Sequence, residues 1–179
     1  MIVRPVVAAD LAAVADIYAH HVLKGISSFE EVPPSLAEMA ERHAKVTRLG
    51  LPYLCAEIDG RVAGYAYAGP YGTRAAYRYT VEDSVYIAPD LQGRGAGKAL
   101  LRAVIEHCEA LGLRQMLAVI GNGSDNPGSV ALHKSLGFEH AGVGRSVGWK
   151  KGRWVDIVWM QRTLNDGDAS APQGAGVLR

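Results

Sequence analysis

Residues 81–101, VEDSVYIAPDLQGRGAGKALL, restrict the folding of this chain more than any other stretch. A run of β-type residues over 81–88 meets a Pro89-Asp90 turn, and the glycine-rich segment Gln92-Gly93-Arg94-Gly95-Ala96-Gly97 then opens a helix. In such a unit successive N–H groups can point into one space, because glycine adopts positive φ and the first helical turn adds unpaired donors with a partial positive charge. Phosphate binding is the chemistry predicted for that space. Spacing excludes two nucleotide fingerprints. A dinucleotide loop starting at Gly93 needs glycine where Lys98 stands, and a P-loop needs glycine at Gln92 and Ser or Thr where Ala99 stands. Taken alone, the segment also fits a glycine-rich connection that holds no ligand.

Periodicity on either side places this unit within one domain. Residues 2–6 read as a strand and 9–22 as a helix with Leu11, Val14, Ile17, Tyr18 and Val22 at helical spacing, stopped at Gly25. A loop over 25–34 carries Phe29 beside Glu30 and Glu31, and Ser35-Leu36-Ala37-Glu38 is a capping box that starts a second helix. Strands follow at 53–58 and 61–68, joined by the hairpin signal Asp59-Gly60. After the glycine loop the helix runs to about Leu111, with Leu100, Leu101, Val104, Ile105 and Cys108 on one face. The apolar run at 114–120 suits a strand covered on both sides, and the helical crossover joining it to the strand at 81–88 makes that pair parallel. Asn126-Pro127 starts a short helix ending at Gly137, and strands at about 138–149 and 154–162 close the domain. The expected fold is α/β, a mixed and mostly antiparallel twisted sheet with helices on both faces.

Composition enters through what it rules out. With 19 basic and 18 acidic residues among 179, no charge excess draws the chain to nucleic acid or a membrane, and no apolar run approaches the roughly 18 residues of a spanning helix. Cys55 and Cys108 are isolated thiols in apolar settings, which suits a reducing cytoplasm. His20 and His21 lack an acid or Cys at ligand spacing, so they read as ordinary helix-end residues and no metal is expected. Lys150-Lys151-Gly152-Arg153 reads as a solvated hairpin tip. From Asn165 the sequence has little to bury, so a domain over 1–164 is expected to end in a disordered tail over 165–179. Arg74 and Arg78, set among Tyr71, Tyr77 and Tyr79, fit either a carboxylate clamp or surface arginines stacked on tyrosines.

The pattern Gln92-x-x-Gly95-x-Gly97, followed by Asn126-Pro127-Gly128-Ser129, His133 and Gly137-Phe138, resembles in motif and order the acetyl-CoA-dependent N-acetyltransferases of the GNAT superfamily. Three further stretches are similar to its phosphinothricin acetyltransferase branch, whose substrates include methionine sulfone and methionine sulfoximine. They are Val81-Glu82-Asp83-Ser84-Val85-Tyr86-Ile87, Ala118-Val119-Ile120-Gly121, and Gly152-Arg153-Trp154-Val155-Asp156 with Trp159-Met160-Gln161-Arg162. The similarity covers about residues 1–164 and implies a GNAT fold with acetyl-CoA as co-substrate. It implies Val85, Tyr86 and Ile87 along the pantetheine, and the backbone of Gly93, Arg94, Gly95, Ala96, Gly97 and Lys98 on the pyrophosphate. Asn126, Ser129 and His133 would bracket the thioester. Most of the superfamily has tyrosine, as proton donor to the departing thiolate, where this chain, like its branch, has His133; an imidazole can do the same near neutral pH, and a coenzyme contact or a packing role stands beside that reading.

An amine that is mostly protonated near neutral pH loses a proton before it attacks a thioester, so the reaction needs a base. Glu82 lies one residue inside its strand, on the face of Ser84 and Tyr86, and the branch similarity puts the base there; the alternative is a structural ion pair at a strand end. A main-chain N–H near Val85 or Tyr86 would meet the developing oxyanion. The resemblance further implies Arg74 on the acceptor carboxylate, with Phe29, Glu30, Ala75, Ala76 and Tyr77 shaping the pocket, and a homodimer. The expectation is thus a cytoplasmic enzyme that acetylates the α-amine of a small amino acid or analogue by direct attack in a ternary complex. Two rivals stand beside it. Acetylation of a protein N-terminus or lysine wants an open groove, and a silent acetyl-CoA-binding domain needs the loop but neither Glu82 nor His133.

Overall fold

A computed structural model describes residues 1–123 and 126–177. Its seven-stranded sheet comprises β1 (Ile2–Pro5), β2 (Tyr53–Ile58), β3 (Arg61–Pro70), β4 (Thr80–Ile87), β5 (Gln115–Gly121), β6 (Glu139–Lys150) and β7 (Arg153–Thr163), in the order β1-β2-β3-β4-β5-β7-β6. Every neighbouring pair is antiparallel except β4 and β5, which the crossover makes parallel. Helices α1 (Leu11–Lys24) and α2 (Leu36–Arg48) cover the face bearing Tyr86, against which Tyr18 packs edge-on at 4.9 Å. Helices α3 (Ala96–Ala110) and α4 (Pro127–Lys134) cover the opposite face, where His133 meets Asp83.

Local signals explain where these elements begin and what they bury. The capping box at α2 is made in both directions: Ser35 Oγ accepts from Glu38 N–H at 3.2 Å, and Glu38 accepts from Ser35 N–H at 2.7 Å. On α3, Leu100, Leu101, Val104 and Cys108 are fully buried, and each large aliphatic contributes about 1.5–3 kcal/mol through lost contact with water. That stripe clamps the glycine loop at the helix start to the sheet.

One departure from regular pairing creates the site. The β4–β5 ladder runs from Thr80 and Gln115 only to Asp83 and Ala118. Past that point β4 stays paired with β3 through Ile87, and β5 stays paired with β7 through Gly121. The two parallel strands therefore splay, and a wedge opens between them at their C-terminal ends.

Residues 165–177 of the tail contact the domain at several points. Arg114 donates to the Gly167 and Ala171 carbonyls and to Ser170 Oγ, the Tyr79 hydroxyl donates to the Gly174 carbonyl at 2.6 Å, and Val177 is buried with its N–H on Arg78 O. Composition counts side chains, of which this segment has few to bury. What holds it is backbone carbonyls satisfied by one arginine and one tyrosine of the domain.

Candidate active site

The wedge and the glycine loop form one cleft of about 1140 Å³. Gly93 and Gly95 adopt φ of +77° and +85°, and a Cβ at either would meet no atom within 4 Å, so the loop backbone borders open space. Gly95 is the N-cap of α3 and no side chain caps that end, which leaves its first-turn donors to whatever enters the cleft. Val85, Tyr86 and Ile87 line the wedge, as do Ala96, Gly97 and Lys98 at the loop and Asn126, Ser129 and His133 at the far side. Arg94 does not: its guanidinium turns away to Asp59 at 3.3 Å. An elongated ligand with an anionic end fits this shape and this donor set.

His21 is a cleft residue that sequence reasoning missed. Its Nε2–H donates to the Ile87 carbonyl at 2.9 Å, and burial holds the ring below its ordinary pKa, so it sits there neutral. The available signal was its position three residues after Tyr18, which puts both on the helix stripe facing Tyr86.

Glu82 stands where β4 is about to leave β5, directly opposite Gly69 of β3. Its carboxyl has no hydrogen bond or ion pair among the described residues, so the alternative of a structural ion pair finds no partner. Burial, and then the charge of Asp83, push its pKa above the usual glutamate value. A half-buried, unpaired carboxylate with raised basicity is what proton abstraction requires.

On the other face, His133 and Asp83 form a buried pair with Nε2 and Oδ2 3.1 Å apart, while the second ring nitrogen lies 2.7 Å from the Ser129 carbonyl. Burial alone would lower the pKa of His133, but the hydrogen bond and charge of Asp83, with the Ser129 carbonyl, outweigh it and hold the ring above its ordinary value. Asp83 Oδ1 is buried without a partner among the described residues.

At the acceptor side the expectations divide. Phe29 and Glu30 line the cleft, and Glu30 is fixed by the Tyr18 hydroxyl at 2.9 Å and by Arg42 at 2.6 and 3.2 Å. Arg74, Ala75, Ala76 and Tyr77 are exposed and lie outside it, on a short 3₁₀ turn where the Tyr77 ring packs on Tyr71 and over Gly72. The structure thus gathers Glu82, Phe29 and Glu30, and leaves Arg74 on the loop leading into β4.

The basic hairpin turn is solvated at Lys151, Gly152 and Arg153 but not at Lys150. Lys150 is 4% exposed and its ammonium donates to the Ser28 carbonyl at 2.6 Å, while Lys151 donates to the Lys24 carbonyl at 2.6 Å. Lys150 reaches the loop between α1 and α2 and Lys151 the last residue of α1, so the β6–β7 turn holds the start of the segment that carries Phe29 and Glu30.

Comparison with known proteins bears directly on this cleft. A model of the Acetyltransferase (GNAT) family matches residues 17–138. A phosphinothricin N-acetyltransferase of Alcaligenes faecalis is 56% identical over 164 residues, spanning 92% of this chain and 83% of that protein. An L-methionine sulfoximine/L-methionine sulfone acetyltransferase of Pseudomonas aeruginosa is 40% identical over 171 residues, 95% of this chain and 98% of its relative. Among solved structures, a phosphinothricin acetyltransferase of Sinorhizobium meliloti in complex with AcCoA superposes with a TM-score of 0.93 at 48% identity, covering 98% of this chain and 94% of the other.

Proposed function

The chain belongs to the GNAT family of acetyltransferases, and from that premise we propose that it moves the acetyl group of acetyl-CoA to the α-amine of a small amino acid or analogue, with phosphinothricin, methionine sulfone and methionine sulfoximine as the candidate acceptors. The observation that carries this reading is the unpaired Glu82 carboxyl at the mouth of the wedge, beside a glycine loop with free donors.

Acetyl-CoA supplies the activated acyl group. The N–H groups of the loop and of the first turn of α3 hold the pyrophosphate, and Val85, Tyr86 and Ile87 guide the pantetheine along the unpaired edge of β4. Glu82 takes a proton from the acceptor ammonium, directly or through a water, and so frees its lone pair. Main-chain N–H groups of β4 near Val85 and Tyr86 meet the charge that develops on the carbonyl oxygen. His133, engaged through both ring nitrogens, supports a role as a fixed positive charge beside the departing thiolate. Arg74 is assigned to the acceptor carboxylate through the branch resemblance and would reach it by movement of its exposed loop.

The enzyme acts in the cytoplasm in this reading. Its two cysteines are buried and unpaired, and among the described residues no helix is long and apolar enough to cross a membrane. A homodimer is supported by the apolar residues left exposed on β6 and β7, where Trp149 and Trp154 are 56% and 62% accessible and pack edge-on against each other.

The test is acetyl-CoA-dependent thiol release by the purified protein against L-methionine sulfone, L-methionine sulfoximine, L-phosphinothricin, the common amino acids and N-terminal and lysine peptides. Saturable turnover on the first three is expected. Turnover on the peptides alone would replace this reading with a protein acetyltransferase. Acetyl-CoA binding without turnover on any acceptor would leave a binding domain.

A further inference from the structure

Under α2, beside the cleft and sharing Tyr18 and Tyr67 with it as lining, lies a second cavity of about 200 Å³. Its floor is formed by Tyr53 of β2 with Tyr65 and Tyr67 of β3, three near-parallel rings with centroids 4.9 to 6.3 Å apart. Met39, Val46 and Leu49 close its sides. Arg42 and Lys45 supply its cationic edge.

Two observations set this cavity apart from a packing defect. Tyr53 and Tyr65 are 4% and 1% exposed, yet neither hydroxyl has a hydrogen-bond partner among the described residues, and neither is sealed off from solvent-sized space. Buried phenols ordinarily find an acceptor, so two unpartnered ones beside a common cavity call for oxygen acceptors within it. Among the described residues Lys45 also has no ionic partner, whereas Arg42 is committed to Glu30.

The cavity is also reachable from the reaction centre. Gly69 lies directly across from Glu82 and two residues from Tyr67 on the same sheet face, and a Cβ at Gly69 would meet nothing within 4 Å. A group whose amine sits at Glu82 can therefore extend over Gly69 toward the tyrosines. The volume falls below the roughly 300–1,000 Å³ of a whole-ligand pocket, which suits a side chain rather than an entire substrate.

We propose that this tyrosine-floored cavity is the side-chain subsite of the acceptor, and that it selects side chains with a short apolar stem ending in strongly dipolar or anionic oxygens, as in a sulfone, sulfoximine or phosphinate. The assignment rests on the small-acceptor reading above. The stem packs on the stacked rings, the Tyr53 and Tyr65 hydroxyls donate to the terminal oxygens, and the Lys45 ammonium donates to them as well, balancing charge where they belong to a phosphinate.

Calorimetric titration of L-methionine sulfone into the CoA-saturated protein, run beside turnover, tests it in wild type, Tyr53→Phe, Lys45→Met and Gly69→Val. Tyr53→Phe is expected to raise the sulfone Kd roughly fivefold and Lys45→Met roughly tenfold. Gly69→Val should abolish sulfone binding by closing the passage. All three should keep wild-type CoA affinity, which also reports that they are folded. Unchanged sulfone affinity in the three variants, against clear binding and turnover by wild type, would overturn the subsite while leaving the functional reading intact. Wild type that neither binds nor acetylates any of the three acceptors would instead overturn that reading, and the subsite with it.

Discussion

His133 offers one ring nitrogen to Asp83 Oδ2 at 3.1 Å and the other to the Ser129 carbonyl at 2.7 Å, so both face acceptors within the protein. A doubly protonated ring satisfies both contacts at once. The pair is then a charged bridge between α4 and β4, placed where the wedge narrows. It favours His133 as a fixed cation over a mobile proton donor, because releasing the Nε2 proton would leave Asp83 as an uncompensated buried charge.

Asp83→Asn keeps the shape of the side chain and removes the charge, which gives a signed pH test. The folded value of His133 lies above the 6.5 of the free ring, so the bridge contributes fully below 6.5 and its contribution is lost as pH rises through the folded value. In thermal melts taken above the range where carboxylates titrate, the deficit of the variant should be largest on the acidic side, about 1–3 kcal/mol, and shrink toward alkaline pH. A deficit independent of pH would mean that His133 is neutral in the folded protein.

Glu82→Gln should cut kcat by about 10²–10⁴-fold while leaving the affinity for acetyl-CoA unchanged, since a base acts on the acceptor and touches nothing in the loop. The carboxyl works only when ionised, and its pKa is raised, so kcat/KM should fall on the acid side at a pH above the ordinary glutamate value of 4.5. Asp83 contributes to that elevation from the adjacent position, and Asp83→Asn should shift the acid limb to lower pH. Unaltered turnover in Glu82→Gln would place the base elsewhere.

Gly95→Ala tests the loop. A residue with a Cβ at φ +85° carries about 1–2 kcal/mol of strain, and a loop that relieves it turns N–H groups away from the cleft. The Kd for acetyl-CoA should rise about tenfold with little change in acceptor KM, measured by direct binding and by initial rates. An equal loss for both substrates would show that the loop has a wider structural role.

What the sequence made legible follows the range of the physics involved. Tyr53–Ile58 is the same strand in sequence and structure because a two-residue Asp-Gly turn fixes its end, and the α2 start is legible because its cap lies within four residues. The phosphate loop is equally local. The roles of Lys150, His21 and the tail depend on groups 122, 66 and 95 residues away, and no pattern within their own segments encodes those partners. Arg94 shows the converse. The loop motif counts it among the backbone donors, but Asp59 on the β2–β3 turn decides where its side chain goes.

Lys150 offers the sharpest separation of acceptor from coenzyme. Its ammonium is buried, burial pushes its pKa down, and the Ser28 carbonyl it binds belongs to the residue preceding Phe29 and Glu30. Lys150→Met preserves the packed stem and deletes the donor, leaving that carbonyl unsatisfied at a cost of about 1–3 kcal/mol unless the loop moves to reach water. Movement displaces Phe29 and Glu30, which line the acceptor side of the cleft, but not the glycine loop on the far end of β4. The acceptor KM should therefore rise severalfold with the acetyl-CoA KM held, both taken from initial rates at saturating partner substrate. A fall in melting temperature with both KM values unchanged would reduce Lys150 to a structural clamp with no part in shaping the acceptor pocket.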